Sequence, residues 1–441
     1  MAVNAGARLD RLPVSSFHRR ILTLIGIGMF FDGYDVYVAA TVLGATLKNG
    51  FSTLGQNAQF VSVTFIGMML GSLATGFLGD RYGRRFTYQA NLIIFGLASI
   101  ASAFAPNMSV LILLRGVMGV GLGAELVAGY SAMTEFLPPQ ARGRWCGILN
   151  AVVVTSVPIS SLASALLIPR FGWRLMFVIG GAGALFVWYL RKSMPESPRW
   201  LESVGRDEEA EKMLQAIESE VALRHAPLAE PAFSAPAIAS RDSSVLLGAE
   251  LFPRMFVGAT ALIVANTLIY GFVTWLPTFF VKEGLSIASS FKYAFLMTLG
   301  APVGAAIGAL SADSLGRKPV IAGASLLTIF FGAIYPFIRN PRLLPLAGFL
   351  LVVPIYILVA LLFAIYIPEL FPTDVRMRAV GICNTLGRTA TIFTPFLVVL
   401  LFGNYGVKGV VALMIGLLVL LIVVVLFFGI EPKLRRLEEM E

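Results

Sequence analysis

Stretches of about twenty apolar residues recur along nearly the whole of this chain, and each is long enough to cross roughly 30 Å of hydrocarbon. They lie near 20–45, 60–78, 87–105, 108–133, 145–168 and 173–191. They resume near 252–281, 289–311, 319–338, 343–367, 378–402 and 407–429. Inside a bilayer every backbone N–H and C=O must find its partner within the protein, so runs of this length fold as helices. The pattern predicts an all-α membrane protein with twelve transmembrane helices. Charged residues make up 13% of the 441-residue chain, about half the share usual in a soluble domain.

Where the charges lie sets the topology. A net charge of +9 is compatible with nucleic-acid binding, but arginine and lysine gather in short loops between apolar runs, the positive-inside pattern. No nucleic-acid partner is expected. Loops after even-numbered spans carry Arg81, Arg84 and Arg85; Arg142 and Arg144; Arg317 and Lys318; and Arg376 and Arg378. Loops after odd-numbered spans are poorer, with Lys48, Arg170, Lys282, Arg339 and Arg342 scattered among them. Both termini are therefore expected in the cytoplasm. The first run follows Arg19 and Arg20 but is too long, and lacks a small-residue cleavage site, to be a signal peptide. His18 and His225 show no metal-ligand spacing, and Cys146 and Cys383 sit in apolar stretches as packing residues. No metal, disulfide or cofactor is expected.

The chain repeats itself. Residues 135–150 (EFLPPQARGRWCGILN) align with 369–384 (ELFPTDVRMRAVGICN), matching Glu135 to Glu369, Pro138 to Pro372, Arg142 to Arg376 and Asn150 to Asn384. At nearly the same offset DRYGRR (80–85) meets DSLGRK (313–318), and PESPR (195–199) has a weaker echo in EPK (431–433). Three matches in order indicate duplication. The expected domains are a six-helix half over 1–191, a cytoplasmic linker over 192–251 and a second six-helix half over 252–441. Within the linker, residues 206–223 read as an amphipathic helix with Leu214, Ile217 and Val221 on one stripe. A Pro/Ala stretch over 226–240 follows it.

The repeated loops carry paired charges suited to a cytoplasmic gate. Gly79 and Gly83 permit a tight turn, and Asp80 can meet a helix N-terminus or Arg84. The second copy supplies Asp313 and Arg317. Glu135 with Arg142 or Arg144, Glu196 with Arg199, and Glu369 with Arg376 complete the expected rim. Here the chain resembles known proteins. GDRYGRR (79–85) is similar to the signature loop of the major facilitator superfamily. PESPRWL after span 6 and PELFPTDVRMRAVG after span 10 resemble marks of its sugar-porter branch. FDGYD (31–35) resembles the aromatic acid:proton symporters, and the combination is similar to bacterial nicotinate transporters and the synaptic vesicle glycoprotein 2 group. The resemblance implies a secondary transporter of two pseudo-symmetric halves. Span 7 lacks the run of Gln and Asn typical of sugar porters and has only Asn266.

Ionisable residues inside a span are expensive and mark function. Asp32 and Asp35 lie one turn apart on span 1. Arg115 and Glu125 lie on span 4, and Arg388 on span 11. At about 1.5 Å per residue, Asp35 and Arg115 reach similar depth. A buried pair is expected there, with a proton on Asp35 releasing Arg115; Asp32 and Glu125 are further proton candidates. Arg388 falls about 15 Å deep, one turn beyond Asn384, where a substrate carboxylate would suit its planar guanidinium. Tyr37, Tyr270 and Tyr366 are candidates to hold a flat ring, and Asn266, Asn150 and Asn384 to line the same path. No phosphate-binding loop or catalytic constellation is legible, so an enzyme is not expected. The sequence thus points to a monomeric proton symporter for a small organic anion, an aromatic monocarboxylate such as nicotinate or a benzoate. Its partners are that anion, protons and the lipid bilayer. A sugar or polyol porter and a non-transporting membrane receptor are the alternatives.

Overall fold

A computed structural model describes residues 3–222, 228, 230, 251–282, 284–338, 340, 342–371 and 376–431. Among these residues every regular element is helical. The chain opens with the short α1 (Ala5–Asp10), then runs through α2 (Ser16–Lys48), α3 (Leu54–Tyr82), α4 (Arg84–Ala103), α5 (Met108–Phe136), α6 (Pro139–Phe171) and α7 (Arg174–Leu190). Two linker helices follow, α8 (Pro198–Ser203) and α9 (Asp207–Ala222). The remainder comprises α10 (Phe252–Gly271), α11 (Leu276–Lys282), α12 (Ile287–Thr298), α13 (Gly300–Leu315), α14 (Arg317–Ile334), α15 (Leu344–Leu361), α16 (Ile367–Glu369) and α17 (Arg376–Phe428).

Eleven of these stretches are long and apolar enough to cross a membrane. The last, Ala379–Phe428, holds 50 residues, which at 1.5 Å per residue is about 75 Å and more than twice the hydrocarbon thickness. Its backbone leaves the helical region at Gly406 (φ 63, ψ −155), a conformation glycine adopts without a Cβ clash. The stretch is thus two spans, and the twelve-helix reading holds.

The first five spans are single helices and the sixth ends in a short 3₁₀ turn, whereas spans 7, 8 and 10 are interrupted, span 8 between α12 and α13 at Leu299. Span 7 leaves α10 at Phe272 (φ −119, ψ −62), passes through a 3₁₀ turn over Val273–Trp275 and resumes as α11. Span 10 follows α15 with a π-turn over Leu362–Tyr366. Irregular backbone at membrane depth is tolerated where it is buried in protein or lines a cavity.

The chain divides into two compact units. The first comprises Met1–Asp35, Ile66–Ser156 and Phe177–Ala237; the second comprises Val36–Phe65, Val157–Met176 and Ile238–Glu441. The boundary does not follow the sequence repeat. The C-terminal end of α2, the start of α3 and the C-terminal end of α6 join the second unit. Within that unit Thr41 and Ser164 share a hydroxyl contact of 2.7 Å, and Lys48 Nζ donates to the Leu285 carbonyl at 3.3 Å. Within the first unit α3 and α5 approach backbone to backbone. A Cβ on Gly123 would lie 2.0 Å from the Met68 carbonyl oxygen, so the glycine-rich face of α5 is a packing surface of small residues.

The stripe expected on the linker helix is present: Ala210, Leu214, Ile217 and Val221 are buried. They pack in one cluster with Leu9 and Leu12 of the N-terminal segment and Phe17 of α2. A ring of charge closes the contact. Arg8 bonds Glu211 (2.5 Å) and Glu218 (2.7 Å), Arg11 bonds Glu218 (2.7 Å), and the Glu202 carboxylate accepts the Asn4 and Ala5 amides. The N-terminal segment is thereby strapped onto the linker.

Candidate functional site

The repeated loops build the same device twice. In the first unit Gly83 takes φ +94 and ends α3 so that α4 starts at once. The exposed amides of Arg84 and Arg85 donate to the Glu196 carboxylate at 3.0 and 3.1 Å. A carboxylate at a helix N-terminus satisfies orphan N–H groups and complements the dipole. The Arg84 side chain donates to Glu135 (2.9 Å) and to the Gly79 carbonyl (2.7 Å). In the second unit Gly316 takes φ +97, and the amides of Arg317 and Lys318 donate to Glu431 at 2.9 and 2.8 Å. Arg317 grips Glu369 through two bonds of 2.9 Å. The faint PESPR/EPK echo therefore places Glu196 and Glu431 in equivalent roles. Burial lifts the Glu196 carboxyl above its ordinary value, against the pull of the amides it accepts.

One pairing differs from the expected set. Glu196 faces backbone amides where sequence spacing pointed to Arg199, while Arg199 reaches Asp10 (2.6 Å) and the Glu135 carbonyl (3.0 Å). Glu135 and Glu369 are held by Arg84 and Arg317. Each set lies within one unit, so these bonds brace a unit internally. The side chains of Asp80, Arg142, Asp313 and Arg376 lie outside the described residues.

The membrane-embedded charges of the first unit form two levels along α2. Arg115 Nη1 donates to Asp35 Oδ2, and Arg115 Nη2 to the Asp35 carbonyl at 3.4 Å; both side chains are buried. Nearer the N-terminal end of α2 lies a pair that sequence reasoning did not anticipate. Arg191, in the 3₁₀ turn after α7, meets Glu125 at 2.5 Å, with each side chain 1% exposed. Its guanidinium also donates to the Leu24 and Ile25 carbonyls at 2.9 and 3.0 Å. Asp32 is buried between the two levels, and neither carboxylate oxygen has a hydrogen-bond partner.

The second unit gathers aromatic hydroxyls. Tyr356 donates to the Tyr37 hydroxyl at 3.2 Å, and Tyr270 sets its ring edge-on to Phe65 with centroids 4.5 Å apart. Tyr37, Tyr270 and Tyr356 are within electrostatic reach of one another, and Arg388 is within reach of Tyr270. Asn266 bonds the Leu262 carbonyl (2.7 Å) and lies against Gly387, beside Arg388. Asn384 back-bonds to Val380 (3.0 Å), and the equivalent Asn150 is half-buried in the first unit. Tyr366 stands apart. A Cβ on Gly429 would lie 2.4 Å from its hydroxyl, which places it near Glu431 at the rim; Tyr356 is the span-10 tyrosine that meets Tyr37. The Trp275 indole, in the break of span 7, is buried with its N–H unpartnered. Among the described residues no group of His, Cys, Asp and Glu could hold a metal ion.

The helical framework buries charges in one unit and places a cation within electrostatic reach of a tyrosine in the other. A family profile described as "Sugar (and other) transporter" matches residues 21–441. The chain belongs to that family, within the major facilitator superfamily. It is 38% identical over 443 residues to the inner membrane metabolite transport protein YdjE of Escherichia coli, covering 98% of this chain and 97% of that one. It is 30% identical to the niacin transporter NiaP of Acinetobacter baylyi, covering 98% of each. The xylose transporter XylE from E. coli, in a partially occluded inward open conformation, shares the fold with a TM-score of 0.74. That likeness covers 96% of this chain and all of the other at 17% identity. The protein is thus a multi-pass membrane transporter.

Proposed function

We propose that this protein imports a small aromatic monocarboxylate, of the nicotinate or benzoate class, together with protons, by alternating access of its two halves. The observation that carries the cargo is Arg388 within electrostatic reach of Tyr270, itself within reach of the hydrogen-bonded Tyr37–Tyr356 pair. A guanidinium binds a carboxylate through two parallel N–H bonds, and tyrosine rings stack on a flat ring while offering hydroxyls to its heteroatom. The niacin transporter among the relatives supports the same class. Asp35 carries the coupled proton: bound to Arg115 it stays ionised, and when the pair separates, desolvation favours the neutral acid. Both termini face the cytoplasm, and the protein acts as a monomer in a bacterial inner membrane.

Uptake into proteoliposomes tests the reading with nicotinate, benzoate, their amides and a panel of sugars and polyols. The acids should be concentrated under an inward proton gradient and the amides should not. Accumulation of a sugar or polyol with no competition from the acids would overturn it in favour of the sugar-porter alternative.

A further inference from the structure

Among the described residues three acids and two arginines are buried together in the membrane-spanning part of the first unit: Asp32, Asp35, Glu125, Arg115 and Arg191. Three acids and two bases leave one surplus negative charge when all are ionised. Each base holds one acid: Arg115 holds Asp35 and Arg191 holds Glu125. Asp32 is the acid left over. It is 3% exposed, and both its oxygens lack a hydrogen-bond partner. An ionised carboxylate with no hydrogen-bond donors of its own is among the costliest groups a fold can bury.

Gly28 fixes where Asp32 stands. It lies one turn before Asp32 on the same face of α2. A Cβ there would be 2.0 Å from Arg191 Nη2 and 3.0 Å from Glu125 Oε1. The missing side chain is what lets the guanidinium lie across the helix. Asp32 therefore has the Glu125–Arg191 pair a turn to one side and Asp35 a turn to the other, all within electrostatic reach. Among the described residues Tyr34 and Ser99 lie near Asp35, where a Cβ on Gly180 would meet all three, and the Tyr88 ring centroid is 5.9 Å from Arg191 Cζ.

We propose that Asp32 is a second proton-binding site, holding one proton between the two ion pairs, and that Arg191 positions it by engaging Glu125. One proton makes the five-residue cluster neutral. Its part in coupling rests on the symport reading; its occupancy does not.

Infrared spectroscopy of the reconstituted full-length protein tests occupancy without substrate or gradient. The parent should show the C=O stretch of a buried, slowly exchanging carboxylic acid at neutral pH. Asp32→Asn should remove it. Glu125→Gln should remove it too, because Arg191 then becomes available to an ionised Asp32. Gly28→Ala favours the helix intrinsically yet displaces the guanidinium, so it should move the band and the pH at which it disappears. A band that survives Asp32→Asn, or is absent from the parent, overturns the site. A band lost in Asp32→Asn but unchanged in both other variants overturns the role of Arg191. A parent that shows the Asp32 band yet fails every uptake assay would sink the symport reading and leave this site standing.

Discussion

The two units bury different chemistry. Among the described residues the first buries a cluster of three acids and two arginines along α2, α5 and the end of span 6, each arginine paired with one acid. The second gathers Tyr37, Tyr270 and Tyr356, with the half-buried Arg388 within electrostatic reach of Tyr270. The helices differ accordingly: spans 1 to 5 are continuous, while span 7 is interrupted by a 3₁₀ turn, span 8 at Leu299 and span 10 by a π-turn. A buried ion pair needs rigid elements to hold its geometry, since a loosened charge is strongly destabilising. A site that opens and closes on a cargo gains from local breaks, and π-turns cluster at functional positions. The contrast matches the proposed division of labour, proton handling in one unit and cargo recognition in the other, and it can be broken experimentally.

The largest effect is expected from Asp35→Asn, which mimics the protonated acid permanently. Gradient-driven accumulation should vanish, while counterflow exchange persists with affinity within about threefold of the parent. Concentrative uptake by this variant would move the proton elsewhere and dissolve the division between units. Arg388→Ala should produce the complementary phenotype. Losing a charge-assisted bidentate pair in a dry site costs on the order of 2–4 kcal/mol, so carboxylate binding should weaken by about 30-fold or more. Calorimetric titration of acid and amide into parent and variant would show it, and equal binding of both ligands to the parent would remove Arg388 as the carboxylate partner. A smaller change is expected from Tyr356→Phe, which deletes the donor of the 3.2 Å bond to Tyr37. One neutral hydrogen bond contributes about 1 kcal/mol, so affinity should fall by less than tenfold with coupling intact.

How legible this was depended on the range of the interaction. The twelve spans were readable because a membrane helix is a local apolar run. The Asp35–Arg115 proximity followed from counting rise along two antiparallel helices. The Glu196 contact was hidden because its partners are the Arg84 and Arg85 amides, 112 and 111 residues away, and backbone N–H groups leave no side-chain signature. Arg191 stands at the end of a span, where a flanking arginine ordinarily marks the membrane interface. The signal that could have found it was the surplus of buried acids over bases, together with Gly28 at helical spacing from Asp32. On span 10 composition offered Tyr356 and Tyr366 alike, and only the packing of Tyr366 under Gly429 separates them. The six residues of α1 are too few for periodicity to register.

That short helix provides the mildest test, one that asks whether the first unit extends its charge pairing beyond the membrane. Glu218 holds Arg8 and Arg11 at 2.7 Å each, with its side chain 16% exposed. Burial raises its carboxyl, but the hydrogen bonds and charge of the two arginines outweigh burial, so its pKa lies below the ordinary glutamate value. A carboxyl with a depressed folded pKa contributes stability that is fully present above the unfolded value and lost as pH falls through the folded one. The strap should therefore be closed at neutral pH and open only on the acid side of the ordinary glutamate range. Partly exposed pairs contribute up to about 1 kcal/mol each, so opening should be local and leave the spans folded. A nitroxide on Val14→Cys, in a background with Cys146 and Cys383 replaced by alanine, would report it, since Val14 is 39% exposed just beyond the strap. Its spectrum should sharpen on acidification in the parent. Glu218→Gln should show the sharpened spectrum already at neutral pH. If the label is equally restrained in both proteins across the titration, the apolar seam of Leu9, Leu12 and Leu214 holds the strap, and the charges only decorate it.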